Sequence, residues 1–339
     1  MKRFFVMGLC ILSILTVIAY VGNVPAEAAD KEVTLIVGNM ATGQTNPYIM
    51  CLRWADEYLK GKGSTVKLNL QLEGILGNER ELTESVMIGT VDIAQTADMS
   101  VTSFFPQMSF ANFPKLFDSY DDVYKAWAQD GWAYQEAAKI MSTKGLTLLG
   151  AGDNGFRWIT NSKRPIEKFE DMQGLKIRVP EVALLIDIWN EFGCLTAPIS
   201  FTELTTALQQ GVVDGQELGI QHFYSNGWYE FNRYMTQIDY DYSAVICFIN
   251  TEKFNSLSKT QQTDLLEAFA DANKKMIAYA VDFNNKAMEE IVKKHGGILT
   301  PMTPEFTERI RAVGAKIARM EKWTKILGDE LVEKMYPTK

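Results

Sequence analysis

The chain has 339 residues, 47% of them hydrophobic and 22% charged, with 34 Lys and Arg against 42 Asp and Glu for a formal net charge of −8. That length supplies apolar material for two lobes with their own cores. The acidic balance argues against nucleic acid or an anionic membrane as a partner, since both call for a basic face.

Lys2 and Arg3 precede an apolar run from Phe4 to about Val21, and PAEAAD follows, with Ala26 and Ala28 bracketing Glu27 as an A-x-A pattern. Charged start, apolar middle and small-residue exit read as a secretory signal peptide over 1–28, cleaved near Ala28 or Ala29. A membrane anchor is the competing reading, because the run is just long enough to span a bilayer. Cys10 lies inside the apolar run, too early for lipid attachment. No later stretch approaches membrane-span length, so the mature chain is expected to be soluble and periplasmic. Its three cysteines, Cys51, Cys194 and Cys247, match no zinc spacing. They read as small buried apolar residues, with one disulfide as the alternative. His222 and His295 are too isolated for a metal site or a triad, and no cofactor motif is present.

Strand and helix signals alternate from VTLIVG (33–38). A helical stripe over 46–60 is followed by VKLNLQL (66–72), which has the period of a half-buried strand. A helix over about 79–89 and the strand VDIAQT (91–96) complete a β-α-β-α-β unit, which favours parallel pairing. Residues 101–118 read as an aromatic connector broken by Pro106 and Pro114. A helix is expected over 120–143 and a strand at 146–150. GDNGFRWITNSKRPI (152–166) is dense in turn residues and marks a lobe boundary near 151–155. LKIRV (175–179) reads as a strand, 181–192 as a helix, and LTAPI (195–199) as a strand. Ser200 and Glu203 suggest a capping box for the helix that stops at Gly211. A strand is expected over 243–250. Ser258 and Gln261 form a second box, opening some 37 helical residues, about 55 Å, that end at Gly296. Thr303 before Pro304 caps a final amphipathic segment.

Arg178 lies at the carboxyl end of LKIRV, where open α/β sheets bind ligands. Leu175, Ile177 and Val179 take one face of that strand, leaving Lys176 and Arg178 on the other. A planar guanidinium there suits a carboxylate, while helix capping or a structural ion pair is the alternative use. Arg157 follows the Asn154-Gly155 turn, and Trp158 beside it can wall a pocket or fill a core.

LEGILGNERELTESVMIGTVDIA (72–94), DNGFRWITNSKRPIEKFEDMQGLKIRVPE (153–181) and FTELTTALQQGVVDGQE (201–217) resemble, in order and spacing, the signature segments of solute-binding proteins of TRAP (tripartite ATP-independent periplasmic) transporters. The resemblance implies an α/β fold of the periplasmic binding protein type II kind: two lobes joined by crossing strands and a spanning helix. The first lobe is expected over 30–153 plus about 244–281, the second over about 154–243 plus 282–339. It implies a protein that closes on a small organic acid and delivers it to membrane permease subunits, as a monomer. It makes Arg178 the principal carboxylate ligand, Arg157 its neighbour, and Phe201 an aromatic packed on the ligand. Where the family often has asparagine after DGQE, this chain has Leu218. Leu218 with Trp158 and Phe201 favours a ligand with an apolar or aromatic part over a small hydroxylated diacid. The loops Asn39–Thr42, Asn78–Arg80 and Thr96–Asp98 are expected rims. Glu79 is a candidate acceptor for a ligand hydroxyl or amine, with a helix-start role as the alternative. Asp239 and Tyr240 are further candidates.

Two rival readings use the same residues. A partner of a membrane sensor would present the same pocket. An exported enzyme would need a nucleophile with a base, a carboxylate pair or a metal cluster. The sequence offers no HExxH, GxSxG or P-loop, and Glu203 and Glu217 read better as capping and helix-surface residues.

Overall fold

The computed structural model describes residues 30–338, and the leader expected over 1–28 lies outside them. Strand β1 (Val33–Asn39), helix α1 (Pro47–Lys62), β2 (Val66–Gln71), α2 (Glu79–Met87) and β3 (Ile93–Ala97) follow the expected alternation. β1 pairs in parallel with both β2 and β3. Asn46 caps α1 by accepting from the Tyr48 N–H, and Pro47 occupies the first helical position, where its missing donor costs nothing. Tyr48, Cys51, Leu52, Ala55 and Leu59 form the buried stripe of α1.

The aromatic connector winds through two 3₁₀ turns, Asp98–Val101 and Pro106–Asn112. Two helices, α3 (Tyr120–Trp127) and α4 (Trp132–Ser142), then replace the single helix expected over 120–143. The break falls at Asp130-Gly131, a turn-forming pair whose glycine becomes the cap of α4.

The largest departure from expectation is β4, which runs for 16 residues from Leu146 to Asn161. It passes straight through the glycine-rich stretch that reads as turn. Those small residues instead let a long strand bend, through register shifts at Leu148/Gly150 and Asp153/Gly155. At the second shift Gly155 adopts φ 84°, and its N–H donates to Asp153 Oδ1 at 2.8 Å.

Strand β5 (Lys176–Val179), α5 (Ala183–Glu191), β6 (Leu195–Pro198), α6 (Leu204–Gln209), β7 (Gly215–Gly219) and α7 (Ile220–Ser225) build the far half of the sheet. Ser200 and Glu203 bond through their side chains at 2.7 Å, without the backbone contacts of a capping box. A short β8 (Tyr234–Thr236) precedes β9 (Tyr242–Asn250). β9 returns to lie antiparallel between β3 and β4, giving the sheet order β2-β1-β3-β9-β4-β7-β5-β6. Its side chains divide by period two: Val245, Cys247 and Ile249 enter one core cluster, Ala244, Ile246 and Phe248 another.

After α8 (Thr251–Ser256), helix α9 (Lys259–His295) runs for 37 residues. It has the expected Ser258–Gln261 capping box, packs along α1 and crosses β4 to reach α7. β10 (Ile298–Thr300) joins β8, and α10 (Pro304–Ala318), capped by Thr303, leads to α11 (Glu321–Leu327) and α12 (Asp329–Met335). No described helix is long and apolar enough to cross a membrane. Cys51, Cys194 and Cys247 are free and buried, without the alternative disulfide.

Asp153 is fully buried at the bend of β4, and burial pushes its carboxyl up to about 7 against help from Tyr242 and the Gly155 N–H. An unfolded aspartate titrates near 3.9. Between about pH 4 and 7 the unfolded chain has therefore lost a proton that the folded chain keeps, so stability falls as pH rises, by at most about 1.4 kcal/mol per unit. Asp153→Asn removes this dependence while keeping an oxygen for Gly155. The variant is expected to gain stability relative to wild type between about pH 5 and 7, measured by urea unfolding at both.

Candidate functional site

Arg178 sits where the sequence pattern puts it. Leu175, Ile177 and Val179 point into one core cluster, and Arg178 faces the other way from the third residue of β5. Its side chain is 3% exposed, and Nε donates to the Ile199 carbonyl at 2.8 Å. Among the described residues it forms no ion pair. Burial lowers its pKa to about 10, with Glu217 opposing that shift and Arg157 adding to it. A guanidinium taken from water without a carboxylate partner is a strong local pull on an anion.

Arg157 is also 3% exposed, but its fork is occupied. Nε and Nη2 donate to the two Glu217 carboxylate oxygens at 2.7 and 2.8 Å, and Nη2 donates to the Glu217 carbonyl at 2.9 Å. Burial opposes its charge, yet Glu217 holds its pKa well above the usual value. Glu217, expected on a helix surface, is a fully buried residue of β7 instead. The polar, glycine-bounded GQELG reads poorly as a strand, although β4 pairs along all of it.

Both arginines line one cavity of about 30 Å³, together with Pro180, Phe201 and Leu218. Met40, Ala97, Met99 and Ser100 close the opposite wall, at or just beyond the expected rims. Glu79 is there too: its carboxylate accepts from the Ala97 N–H at 2.8 Å and from the Ser100 hydroxyl. Capping of α2 falls to Asn78 and Glu81, which leaves Glu79 free to reach the wall. Burial is the main reason its pKa is raised.

Three expected candidates lie outside the lining. Trp158 pairs across strands with Leu218 and fills the core cluster beneath it. Tyr240 is fully buried behind the arginines; its hydroxyl donates to Glu217 Oε2 at 2.5 Å, and its ring meets Trp189 edge-on. Asp239 makes a turn at φ 39°, a conformation aspartate tolerates, and accepts from Gln237.

Sequence reasoning missed Tyr48, Asn154 and His222, all of which line the cavity. Gly219 brings the last two together: a Cβ there would stand 2.5 Å from the Asn154 carbonyl oxygen. α7 therefore begins against β4, and Gln221 Nε2 and His222 Nε2 both reach Asn154 Oδ1, at 2.9 and 3.1 Å. His222 meets Tyr48 and Phe201 edge-on, with ring centroids 4.9 and 5.3 Å away. Burial, with Arg157 and Arg178 nearby, pushes His222 down to about 3, so the ring is neutral. A lone histidine carries no spacing signal, and only the strand-to-helix junction reveals it. No group of His, Cys, Asp and Glu suited to a metal ion occurs among the described residues.

A two-part mixed α/β sheet crossed by β4 and β9, with a buried cationic cleft at strand ends, defines the type II periplasmic binding protein fold. The sequence profile of the bacterial extracellular solute-binding proteins, family 7, matches residues 37–322, and the chain belongs to that family. A protein of Haemophilus influenzae is 30% identical over 90% of this chain and 91% of its own length. The 2,3-diketo-L-gulonate-binding periplasmic protein of Escherichia coli K12 is 28% identical over 68% of this chain and 70% of its own. Among solved structures, the sugar acid binding protein of Advenella mimigardefordensis in complex with galactonate superposes with a TM-score of 0.83 at 26% identity, over 90% of this chain and 97% of that one. A TRAP periplasmic solute-binding protein from Polaromonas bound to D-erythronate gives 0.82 at 30% identity, over 91% and 99%. The family and these neighbours are binding proteins.

Proposed function

We propose that this protein captures a small organic acid through its carboxylate, in the periplasm, and passes it to the membrane subunits of a TRAP transporter. The observation that carries the reading is Arg178: a buried guanidinium on the cavity wall whose one hydrogen bond among the described residues is to a backbone carbonyl. Arg157 supports it as a held neighbour, since Glu217 neutralises its charge. The galactonate and D-erythronate complexes of the neighbours, both sugar acids, agree with a carboxylate ligand. Export through a cleaved leader and a role in binding without turnover complete the reading. Calorimetry on the mature chain tests it: carboxylic acids bind, and their uncharged amides do not. Equal binding of acids and amides would sink it.

Closure is the second part of the proposal. A cavity of about 30 Å³ holds roughly two waters, so an organic acid enters only when the walls part. The lobe boundaries that allow this are those implied by the sequence, with 30–153 and about 244–281 moving against the rest while β4 and β9 bend. Thr42 and Asn46 meet the other wall, where the Thr42 hydroxyl donates to Asn226 Oδ1 at 2.7 Å and Asn46 Nδ2 to Ser225 Oγ at 3.4 Å. Thr42→Ala is expected to weaken ligand binding about 3- to 10-fold, the worth of one neutral hydrogen bond. The loss should appear in the dissociation rate, followed by stopped-flow tryptophan fluorescence. An unchanged rate would remove this contact from the closing mechanism.

A further inference from the structure

Two residues that line the cavity each carry a buried polar atom with no hydrogen-bond partner among the described residues: the Tyr48 hydroxyl and His222 Nδ1. Tyr48 is fully buried and His222 is 3% exposed. The hydrogen-bond chain behind His222 fixes which ring nitrogen carries the proton. Asp98 Oδ1 accepts from the Ser243 hydroxyl at 3.0 Å, which uses the only proton of that hydroxyl. Ser243 Oγ therefore accepts from Asn154 Nδ2, at 2.9 Å. That sets the amide of Asn154 with Oδ1 toward α7, where it accepts from Gln221 Nε2 at 2.9 Å. His222 Nε2, 3.1 Å from the same oxygen, has to donate. A neutral ring protonated at Nε2 presents a bare lone pair at Nδ1.

The cavity lining thus includes an acceptor at His222 Nδ1 and, on the ring it meets edge-on with centroids 4.9 Å apart, a Tyr48 hydroxyl that is able to donate. A ligand hydroxyl satisfies both at once, because it donates one proton and accepts another. A ketone only accepts, and so leaves Nδ1 unpaired. An ammonium only donates, and it would stand in the positive field of Arg157 and Arg178. A second carboxylate would face the Nδ1 lone pair and the Glu79 carboxylate. Leaving either buried atom unpaired carries a desolvation penalty that a hydroxyl removes.

Resting on the carboxylate reading above, we infer that the ligand is a hydroxy monocarboxylic acid. Its carboxylate sits on Arg178, and its hydroxyl bridges His222 Nδ1 and the Tyr48 hydroxyl. His222 and Tyr48 are the residues that set specificity within the acid class.

The test is calorimetry of the full mature chain with six four-carbon probes: butanoate, 2-hydroxybutanoate, 3-hydroxybutanoate, 2-oxobutanoate, 2-aminobutanoate and succinate. At least one hydroxybutanoate is expected to bind about ten-fold more tightly than each of the four probes without a hydroxyl. His222→Phe keeps an aromatic ring against Tyr48 and Phe201 but has no lone pair, and Tyr48→Phe lacks the hydroxyl. Each should erase the preference for hydroxybutanoate over butanoate. His222→Asn, which returns an acceptor near the Nδ1 position, should restore part of it. Acids that bind without a hydroxyl preference, or a preference that survives in either phenylalanine variant, overturn this inference and leave the carboxylate reading standing. Binding by none of the six overturns both.

Discussion

Arg178→Ala is expected to abolish tight binding of the organic acid, weakening it by roughly 2–5 kcal/mol, or about 30- to 4,000-fold. The size follows from burial. A guanidinium–carboxylate contact inside a cavity is charge-assisted and bidentate, and no water stands ready to replace it. The folded protein without ligand should behave in the opposite way. Arg178 is desolvated with one backbone carbonyl as its bonded partner, so its charge is a burden until an anion arrives. Arg178→Leu, which keeps the bulk and removes the charge, should unfold at the same urea concentration as wild type or a higher one. Arg178→Lys keeps the charge but loses the planar fork, and should fall between wild type and alanine in affinity. Calorimetry and urea titration on the same samples check all three. Undiminished affinity in Arg178→Ala would refute the assignment of the anchor.

Glu217→Ala is expected to cost about 3–5 kcal/mol of folding stability, because it leaves the buried Arg157 charge uncompensated. Three bonds converge on this residue from Arg157, and a fourth comes from the Tyr240 hydroxyl. One of the Arg157 bonds reaches the Glu217 backbone and survives the substitution. Chemical unfolding reads the loss directly. A loss under about 1 kcal/mol, the worth of a surface pair, would show that the ion pair is not the support proposed. The reciprocal change, Arg157→Ala, acts differently. It frees the Glu217 carboxylate, whose field already reaches Arg178. Glu217 then competes with the ligand for the anchor, so this variant should lose affinity as well as stability.

Much of the fold was legible because its signals are local. The parallel β1–β3 unit, the face alternation of β5 and the capped 37-residue α9 each rest on periodicity or capping within a short window. The misreading of β4 has the opposite cause. Asp153, Asn154 and Gly155 are turn formers in isolation, and the pairing of Asp153 and Gly155 with β9 keeps this stretch within the strand. The site divides along the same line. Arg178, Phe201, Glu79 and Leu218 sit in segments whose local pattern or family motif marks them. Glu217 and His222 acquire their roles from partners 60 and 68 residues away, Arg157 and Asn154. Tyr48, inside an ordinary helical stripe, looks like core until the cavity behind it is seen.

The placement of β9 also dictates when the protein is able to fold. Strands β1, β2 and β3 come from the first hundred residues, yet the strand that completes their edge is residues 242–250, and the helix that covers α1 starts at 259. The amino-terminal part is therefore an unfinished sheet with an exposed edge until most of the chain has followed it. Such long-range closure makes folding slow. Under the export proposed above, with the chain threaded across a membrane from its amino terminus, that delay would be an advantage. The leading segment would then lack the means to lock into its final shape while the trailing part was still on the other side.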